Sequence, residues 1–156
     1  MPYITSLLSR TVRIHISMCG SNIMDTLAQT LKEFEGRCIA EGYLKKNSIQ
    51  IVNYSCGIMK AQYIMITVVF ECKIANPTLN QELECIVENN TKAGIKCKLN
   101  ATESPFIIFV ARDHHSEVDG IDDIQPSSII NVQVIGHRYE VNDPQISIIA
   151  KWNKVS

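Results

Sequence analysis

The chain has 156 residues, of which 46% are hydrophobic and 20% are charged, and its formal net charge is -1. This length allows one domain or two small ones, and no stretch approaches the roughly 18 uninterrupted apolar residues of a membrane span. The composition therefore excludes a membrane-spanning helical protein and gives no global sign of binding to nucleic acid.

The start of the chain and the spacing of its cysteines predict the cellular compartment in which the protein is found. The first 16 residues, MPYITSLLSRTVRIHI, do not have the basic start, apolar core and small-residue cleavage site of a secretory signal, so we expect the protein inside a cell. The six cysteines are spread singly and form no CxxC pair. Several alternate with apolar neighbours, as in FECKI, which favours small buried hydrophobes in a reducing compartment over metal ligands or disulfides.

The first part of the chain predicts a small antiparallel sheet with one long helix. Residues 11–16, TVRIHI, alternate as a half-buried strand does. A helix ending near Gly36 follows, with one face formed by Ile23, Leu27, Leu31 and Phe34. Two short β segments, RCIAEGYL and SIQIVNY, come next. The strongest strand signal is QYIMITVVFECKI, residues 62–74, whose first half is apolar on both faces and is therefore expected to be covered on both sides.

Pro77 breaks this pattern, and we place a domain boundary after Leu79. Residues 1–79 carry 8 Lys and Arg against 5 Asp and Glu, whereas residues 80–156 carry 7 against 11. This acidic balance counts against a strongly electrostatic contact between the second part and RNA.

The second part shows only strand candidates: ELECIVEN, GIKCKL, FIIFVA, SIINVQVIGH and QISIIAKW. The turn NNTKAG predicts a hairpin between the first two. Five strands in about 75 residues fit a small closed barrel, most commonly an OB-fold. The predicted fold class is therefore α+β: a small N-terminal antiparallel sheet with one long helix, followed by an all-β five-stranded OB-fold barrel.

Residues 109–115, FVARDHH, end an apolar run in four ionisable residues. A metal site needs side chains that converge, but neighbours on a strand point to opposite faces, so at most one of His114 and His115 could act with Asp113. The chain also has no Gly-rich phosphate loop, nucleophile elbow or HExxH motif. A strand end with Phe109 in the barrel core is favoured over a metal-dependent phosphoesterase, and we expect no catalytic residue, metal or cofactor.

An OB barrel presents a groove in which cations and aromatic rings contact a nucleic-acid strand. Candidates for an RNA contact are Lys96 and Lys98 on one strand, Arg112, His114 and His115 at the end of the next, and Arg138 near the C-terminus. A solvated polar face is the alternative for each of these residues taken alone.

The order of elements and several motifs resemble the stalk subunit of multisubunit RNA polymerases, the family of the seventh subunit of RNA polymerase II and its archaeal counterpart. VRIHISMCG and FEGRCIAEGYL are similar to that family's opening strand, helix entry and Gly-Tyr ending, with matches at His15, Ser17, Gly20, Glu35, Gly36, Cys38, Gly42 and Tyr43. Pro77 and Glu82 match its domain junction and first barrel strand, and KAGIKCKL and SPFIIFVARDHH fall at its second and third. The likeness spans nearly the whole chain and is greatest to the divergent copies carried by large DNA viruses of eukaryotes.

The resemblance implies a non-catalytic stalk subunit of a DNA-directed RNA polymerase, with an RNP-like docking domain over residues 1–79 and an RNA-binding OB-fold domain over residues 80–156. Docking on the polymerase core would use a tip loop at about residues 55–62, through Ser55, Gly57, Ile58, Met59 and Lys60.

The partners implied are polymerase core subunits, nascent single-stranded RNA and, as an open alternative, a second helical stalk subunit, with no membrane. The location implied is the nucleus or, for a viral copy, the host cytoplasm and the virion. A free-standing OB-fold protein that binds single-stranded RNA is the alternative function.

Overall fold

The structure, a computed structural model, describes residues 3–20, 22–101, 103–111 and 124–153. The chain is mostly β and divides into two compact units, residues 1–75 and residues 76–156. In the described parts of the chain, no helix is long and apolar enough to cross a membrane.

The first unit is one sheet with a single short helix. Its elements are β1 (Tyr3–His15), α1 (Ile23–Leu31), β2 (Arg37–Ile39), β3 (Gly42–Leu44), β4 (Gln50–Tyr54), β5 (Ile58–Lys60) and β6 (Tyr63–Ala75). The long strand β6 is central: β1 pairs antiparallel along one edge, and β3, β4 and β5 pair antiparallel along the other. Short 3-10 turns follow β1 (Ile16–Met18) and α1 (Lys32–Phe34).

Two elements of this unit differ from the sequence expectation. The strand predicted from residue 11 begins at Tyr3, because residues 3–10 pair with residues 68–75 of β6 although their side chains do not alternate cleanly. The helix has nine residues and is not the long helix expected. Its apolar face continues only through the tighter 3-10 turn, after which Gly36, at a φ of 71°, turns the chain into β2.

One face of the sheet forms the core of the first unit. Leu27 and Leu31 of α1 pack on it and are fully buried. The strands contribute alternate residues to the same cluster: Val12, Ile14, Leu44, Ile66, Val68, Phe70, Cys72 and Ile74. The opposite face of β6 is not covered as predicted, since Tyr63, Met65, Thr67 and Val69 are only half-buried.

The second unit is a closed five-stranded barrel. Its strands are β7 (Glu82–Asn90), β8 (Gly94–Leu99), β9 (Phe106–Ala111), β10 (Ile129–Arg138) and β11 (Ile146–Trp152). The order around the barrel is β7-β8-β9-β11-β10, and β10 pairs back onto β7. β9 and β11 are parallel, and the other neighbours are antiparallel. The predicted β7–β8 hairpin is confirmed, and the closed barrel is compatible with an OB-fold.

Alternate residues of each strand fill the barrel. The fully or nearly fully buried set is Leu83, Cys85, Val87, Ile95, Cys97, Leu99, Phe106, Ile108, Val110, Ile130, Val132, Val134, Ile146, Ile148 and Ala150. The expectation that Phe109 lies in the core is wrong. Because Ile108 and Val110 point inward, Phe109 points outward, with 36% of its surface exposed.

The cysteines follow the predicted burial only in part. Four are buried, at positions 38, 72, 85 and 97, whereas Cys19 is half-buried and Cys56 is exposed. Cys56 lies in the connection between β4 and β5, where no strand pairing covers it.

Candidate nucleic-acid interface and docking hairpin

Two adjacent rows of residues cross four strands on the outside of the barrel. Strand register places Lys96, Phe109, Ile149 and Gly136 side by side in one row, and Lys98, Ile107, Ser147 and Arg138 in the next. Neighbouring strands lie about 4.8 Å apart, so each row is about 14 Å wide. We refer to these eight residues as the barrel strip.

The centre of the barrel strip is apolar and its ends are cationic. Ile107 and Phe109 are each 36% exposed and Ile149 is 49% exposed. The ion pairs of the flanking cations are weak, because Lys96 and Arg138 lie 3.8 Å from Glu88 and Glu140 with all four side chains substantially exposed. The lysine and arginine are therefore available to an anionic ligand.

The charges on the barrel strands are segregated. Glu82, Glu84 and Glu88 all lie on β7, whereas β8, β9, β10 and β11 contain no Asp or Glu. The four strands of the barrel strip therefore carry no carboxylate of their own, and the acids beside the strip are Glu88 and Glu140 at its two ends. A polyanion contacting the strip would meet cations at both ends and no carboxylate from its four strands.

Gly94 allows Phe109 to lie flat against the barrel. A Cβ at position 94 would lie 2.8 Å from Phe109 Cζ and 2.3 Å from the carbonyl oxygen of Val110. The ring therefore occupies the space that a side chain on β8 would need. The contact with the Gly94 backbone holds the inner side of the Phe109 ring in one place, and the outer side of the ring remains in solvent.

The structure brings together three of the six RNA-contact candidates. Lys96, Lys98 and Arg138 belong to the barrel strip, while Arg112, His114 and His115 lie outside the described residues, as does Asp113 of the alternative metal site. Among the described residues, no group of three or more His, Cys, Asp and Glu side chains could hold a metal ion.

Sequence reasoning missed the apolar members of the strip, Phe109, Ile107 and Ile149. The run FIIFVA is apolar at every position, and ISIIA has only Ser147 to mark its outward face, so alternation gives little sign of which residues point outward. Register with the charged strand β8 supplies that information, because Lys96 and Lys98 lie beside Phe109 and Ile107.

The predicted docking residues form a hairpin in the first unit. We call residues 55–62 the docking hairpin: β5 pairs with the start of β6, and Ala61 and Gln62 form the turn between Lys60 and Tyr63. Ile58 and Met59 are 71% and 62% exposed. Large apolar side chains this exposed at a hairpin tip are typical of a contact surface.

Backbone contacts fix the docking hairpin at both ends. The Ile16 N–H donates to the Gln62 carbonyl at 2.9 Å, and at the other end the Ser55 N–H donates to the Thr67 carbonyl at 2.9 Å. Gly57 lies so close to β6 that a Cβ there would be 2.2 Å from Ile64 Cγ2. The predicted contacts Ile58 and Met59 therefore sit on a positioned strand.

The 3-10 turn after β1 adds apolar surface that sequence reasoning did not include. Ile16 and Met18 are 45% and 57% exposed, and the hydrogen bond from Ile16 to Gln62 places this turn beside the docking hairpin. Both residues lie within the segment VRIHISMCG, beside His15 and Ser17. The sequence alone does not show that these two side chains are exposed, because their exposure depends on how the turn lies at the end of the sheet.

Burial makes three of the cysteine thiols chemically inert. Loss of hydration raises the pKa of Cys72 to about 11 and the pKa of Cys85 and of Cys97 to about 12. The thiolate is the nucleophile and the metal ligand, and it is scarce at neutral pH in such groups.

Comparison of the chain with protein-family models and with curated protein sequences found no match.

Proposed function

We propose that this protein is a non-catalytic stalk subunit of a DNA-directed RNA polymerase, which docks on the polymerase core through the first unit and contacts nascent RNA through the barrel. The observation that carries the proposal is the pairing of two unlike surfaces on two separate units. One is the apolar docking hairpin, and the other is the barrel strip with its cationic ends.

The docking half of the proposal rests on exposure and position. Ile58 and Met59 face opposite sides of a two-stranded hairpin, since Met59 aligns with Ile64 and Ile58 with Met65. A hairpin with an apolar residue on each side can insert into a cleft of a large partner, where truncation of central apolar anchors has the greatest effect on affinity. In this proposal the first unit is RNP-like and the partner is the polymerase core, with a second helical stalk subunit as a further candidate.

The RNA half rests on the chemistry of the barrel strip. Single-stranded RNA binds to surfaces where bases stack on aromatic rings and cations follow the phosphates. Phe109 supplies a ring at the centre, and Lys96, Lys98 and Arg138 lie on its two sides. In this proposal the barrel is an OB-fold, and the protein acts in the nucleus or, as a viral copy, in the host cytoplasm and the virion.

Affinity purification of the tagged chain from its native cells or virions tests the docking half. We expect the two largest polymerase subunits in near-equal amounts with the wild type. A double variant, I58S/M59S, should lose them. The matched control is Ile4→Ser, which removes an equally exposed isoleucine (68%) at the other end of β6, where Ile4 aligns with Ile74. Recovery of the chain without polymerase subunits would contradict the proposal.

The barrel strip also favours a second candidate function, a free-standing protein that binds single-stranded RNA. This candidate needs no docking hairpin and predicts RNA affinity with no large complex. Phe109→Leu should weaken binding of a uridine 12-mer about tenfold, because it removes one stacking surface but keeps an apolar cover over Gly94. K96Q/K98Q should reduce the slope of log affinity against log salt by about 1.4.

A further inference from the structure

The sheet of the first unit leaves one of its faces uncovered. No residue of the opposite face is buried over residues 5–15 of β1 and 63–73 of β6. On the core side of the same two strands, seven residues are at most 5% exposed: Val12, Ile14, Ile66, Val68, Phe70, Cys72 and Ile74. In the described chain, α1 packs on the core side, through Leu27 and Leu31. The other side is therefore a solvent-facing sheet surface.

A cluster of cationic and aromatic residues lies at one end of this surface. Strand register gives two rows across β5, β6 and β1: Ile58, Met65 and Arg13 in one, and Lys60, Tyr63 and His15 in the other. We refer to these six residues as the Tyr63 platform.

The Arg13 guanidinium and the His15 ring both contact the ring of Tyr63. The Arg13 guanidinium carbon lies 4.3 Å from the centroid of the Tyr63 ring. The His15 ring meets the same ring edge-on, with 5.4 Å between centroids and an interplanar angle of 88°. Arg13 is exposed and Tyr63 half-buried, so the guanidinium plane forms an outer layer supported by the ring beneath it.

Contacts with the following turn fix the tautomer of His15. The Ser17 N–H donates to His15 Nδ1 at 3.2 Å, and Ser17 Oγ lies 2.8 Å from the same nitrogen. Because Nδ1 accepts from the backbone N–H, the neutral imidazole carries its proton on Nε2. Within the described residues, no hydrogen bond from Nε2 occurs, so this N–H can donate to a ligand.

No carboxylate of the sheet lies near the platform. β1, β4 and β5 contain no Asp or Glu, and the single acid of β6 is Glu71, eight residues from Tyr63 and thus about 26 Å away along the strand. Arg13 and Lys60 form no ion pair with another described residue. The surface therefore fits an anionic ligand.

The exposed guanidinium over the Tyr63 ring favours one class of anion. An acidic peptide would satisfy the charges through carboxylates at the edge of the Arg13 guanidinium, whereas the face of that guanidinium offers additional stacking surface to a base. A nucleobase stacks on a guanidinium or on an aromatic ring, and its phosphates meet the same arginine, Lys60 and His15. Thr11 and Thr67, whose hydroxyls are 3.1 Å apart, continue the face along the strands with small polar groups.

We infer that the Tyr63 platform is a second binding site for a single-stranded polynucleotide, separate from the barrel strip, in which a base stacks on Arg13 and the flanking phosphate is bound by Arg13 and Lys60. The inference uses no residue of the barrel. It shares Ile58 and Lys60 with the docking hairpin, so a polymerase bound to the hairpin and an RNA strand bound to the platform would compete for these two residues.

The test is fluorescence anisotropy of the full chain with a uridine 12-mer over a range of salt concentrations. Arg13→Gln should weaken binding about three- to tenfold at low salt and reduce the salt slope by about 0.7, since one phosphate contact is lost. Arg13→Lys should weaken binding but keep the slope, because a lysine retains the charge without the planar layer. Arg37→Gln, the same charge change on β2, should alter neither quantity appreciably.

A double variant that carries both Arg13→Gln and Phe109→Leu distinguishes RNA binding at the platform from RNA binding at the barrel strip. If each substitution weakens binding and their effects multiply, both sites contact the strand. If Arg13→Gln weakens binding and Phe109→Leu does not, the platform site stands and the barrel contact falls. If Arg13→Gln, Arg13→Lys and Arg37→Gln all bind as the wild type does, with unchanged unfolding midpoints, the inference is overturned whatever Phe109→Leu shows. The inference is also overturned if polyglutamate at matched charge fully displaces the uridine 12-mer, and an acidic peptide would then be the favoured ligand.

Discussion

Burial separates the six cysteine side chains into reactive and inert groups. Cys56 is exposed and Cys19 half-buried, whereas the thiols of Cys72, Cys85 and Cys97 have their pKa values raised by burial. Reaction with iodoacetamide requires both access and a thiolate. The sequence predicted the buried thiols from alternation with apolar neighbours, but Cys56, in a connection without alternation, gave no such signal.

We predict that iodoacetamide at pH 8 modifies the native protein at Cys56 first and at Cys19 more slowly. The four buried cysteines should react only when the protein is unfolded in urea. Peptide mass spectrometry after timed quenching measures each site separately. Rapid native modification of Cys85 or Cys97 would contradict the closed barrel, because both side chains lie inside it.

Of the two glycines described in the barrel strands, Gly94 is the one at which a side chain is less tolerated. Gly94→Ala places a Cβ against the Val110 carbonyl oxygen, which is backbone and can move only with β9. We expect a loss of about 1–3 kcal/mol in the free energy of unfolding. The emission of Trp152, the single tryptophan, at the end of β11, reports unfolding of the barrel in urea.

Gly136→Ala is the matched control for this substitution. It lies on β10 at the edge of a register shift, and a Cβ there would meet nothing within 4 Å. Its unfolding midpoint should stay close to that of the wild type. An equal loss in both variants would show that general strand flexibility, and not the contact with Val110 and Phe109, determines the effect.

At the scale of elements, the sequence predicted the strands that carry their own pattern and missed those defined by a partner. β6 and the five barrel strands were found because each is long or bounded by turn residues. Residues 3–10 of β1 carry serine and threonine at irregular positions, and they are strand because β6 offers a continuous edge beside them. The helix was placed correctly, but its length was overestimated, since apolar spacing does not separate α-helix from a final 3-10 turn.

The short helix contributes more stability to the first unit than its length suggests. Leu31 is fully buried against the sheet, and Leu31→Ala should cost about 2–5 kcal/mol in free energy of unfolding. Met24 on the same helix is 42% exposed, and Met24→Ala should change stability little. The hydrogen-exchange rates of the β6 amides measure the change in the free energy of unfolding for each of the two variants. Equal protection of β6 in the wild type and Leu31→Ala would show that the helix is not part of the core.

At the scale of the whole molecule, the barrel closes on its own strands. β10 pairs with β7, and residues 80 and 81 extend that pairing: the Asn80 N–H donates to the Val134 carbonyl and the Val134 N–H to the Gln81 carbonyl. The order of sheet, helix and barrel strands could be predicted from sequence. The full membership of the barrel strip and of the Tyr63 platform could not, because each is assembled from neighbouring strands that register alone aligns.

We predict that a fragment of residues 76–156 folds by itself, with Trp152 emission and a cooperative urea transition matching those of the barrel in the full chain. A fragment of residues 82–156 should be less stable, because it loses both hydrogen bonds to Val134. Equal transitions for the two fragments would show that residues 76–81 do not belong to the barrel.

The central claim is that one protein joins a polymerase to its transcript. The most direct measurement is photo-crosslinking in elongation complexes purified through the tagged chain, with 4-thiouridine in the nascent RNA and mass identification of the labelled peptides. The proposal predicts that the two largest polymerase subunits co-purify and that the transcript labels the barrel strip at the peptide containing Phe109. Purification of the chain without polymerase, or of a complete complex whose transcript labels no residue of this chain, would contradict it.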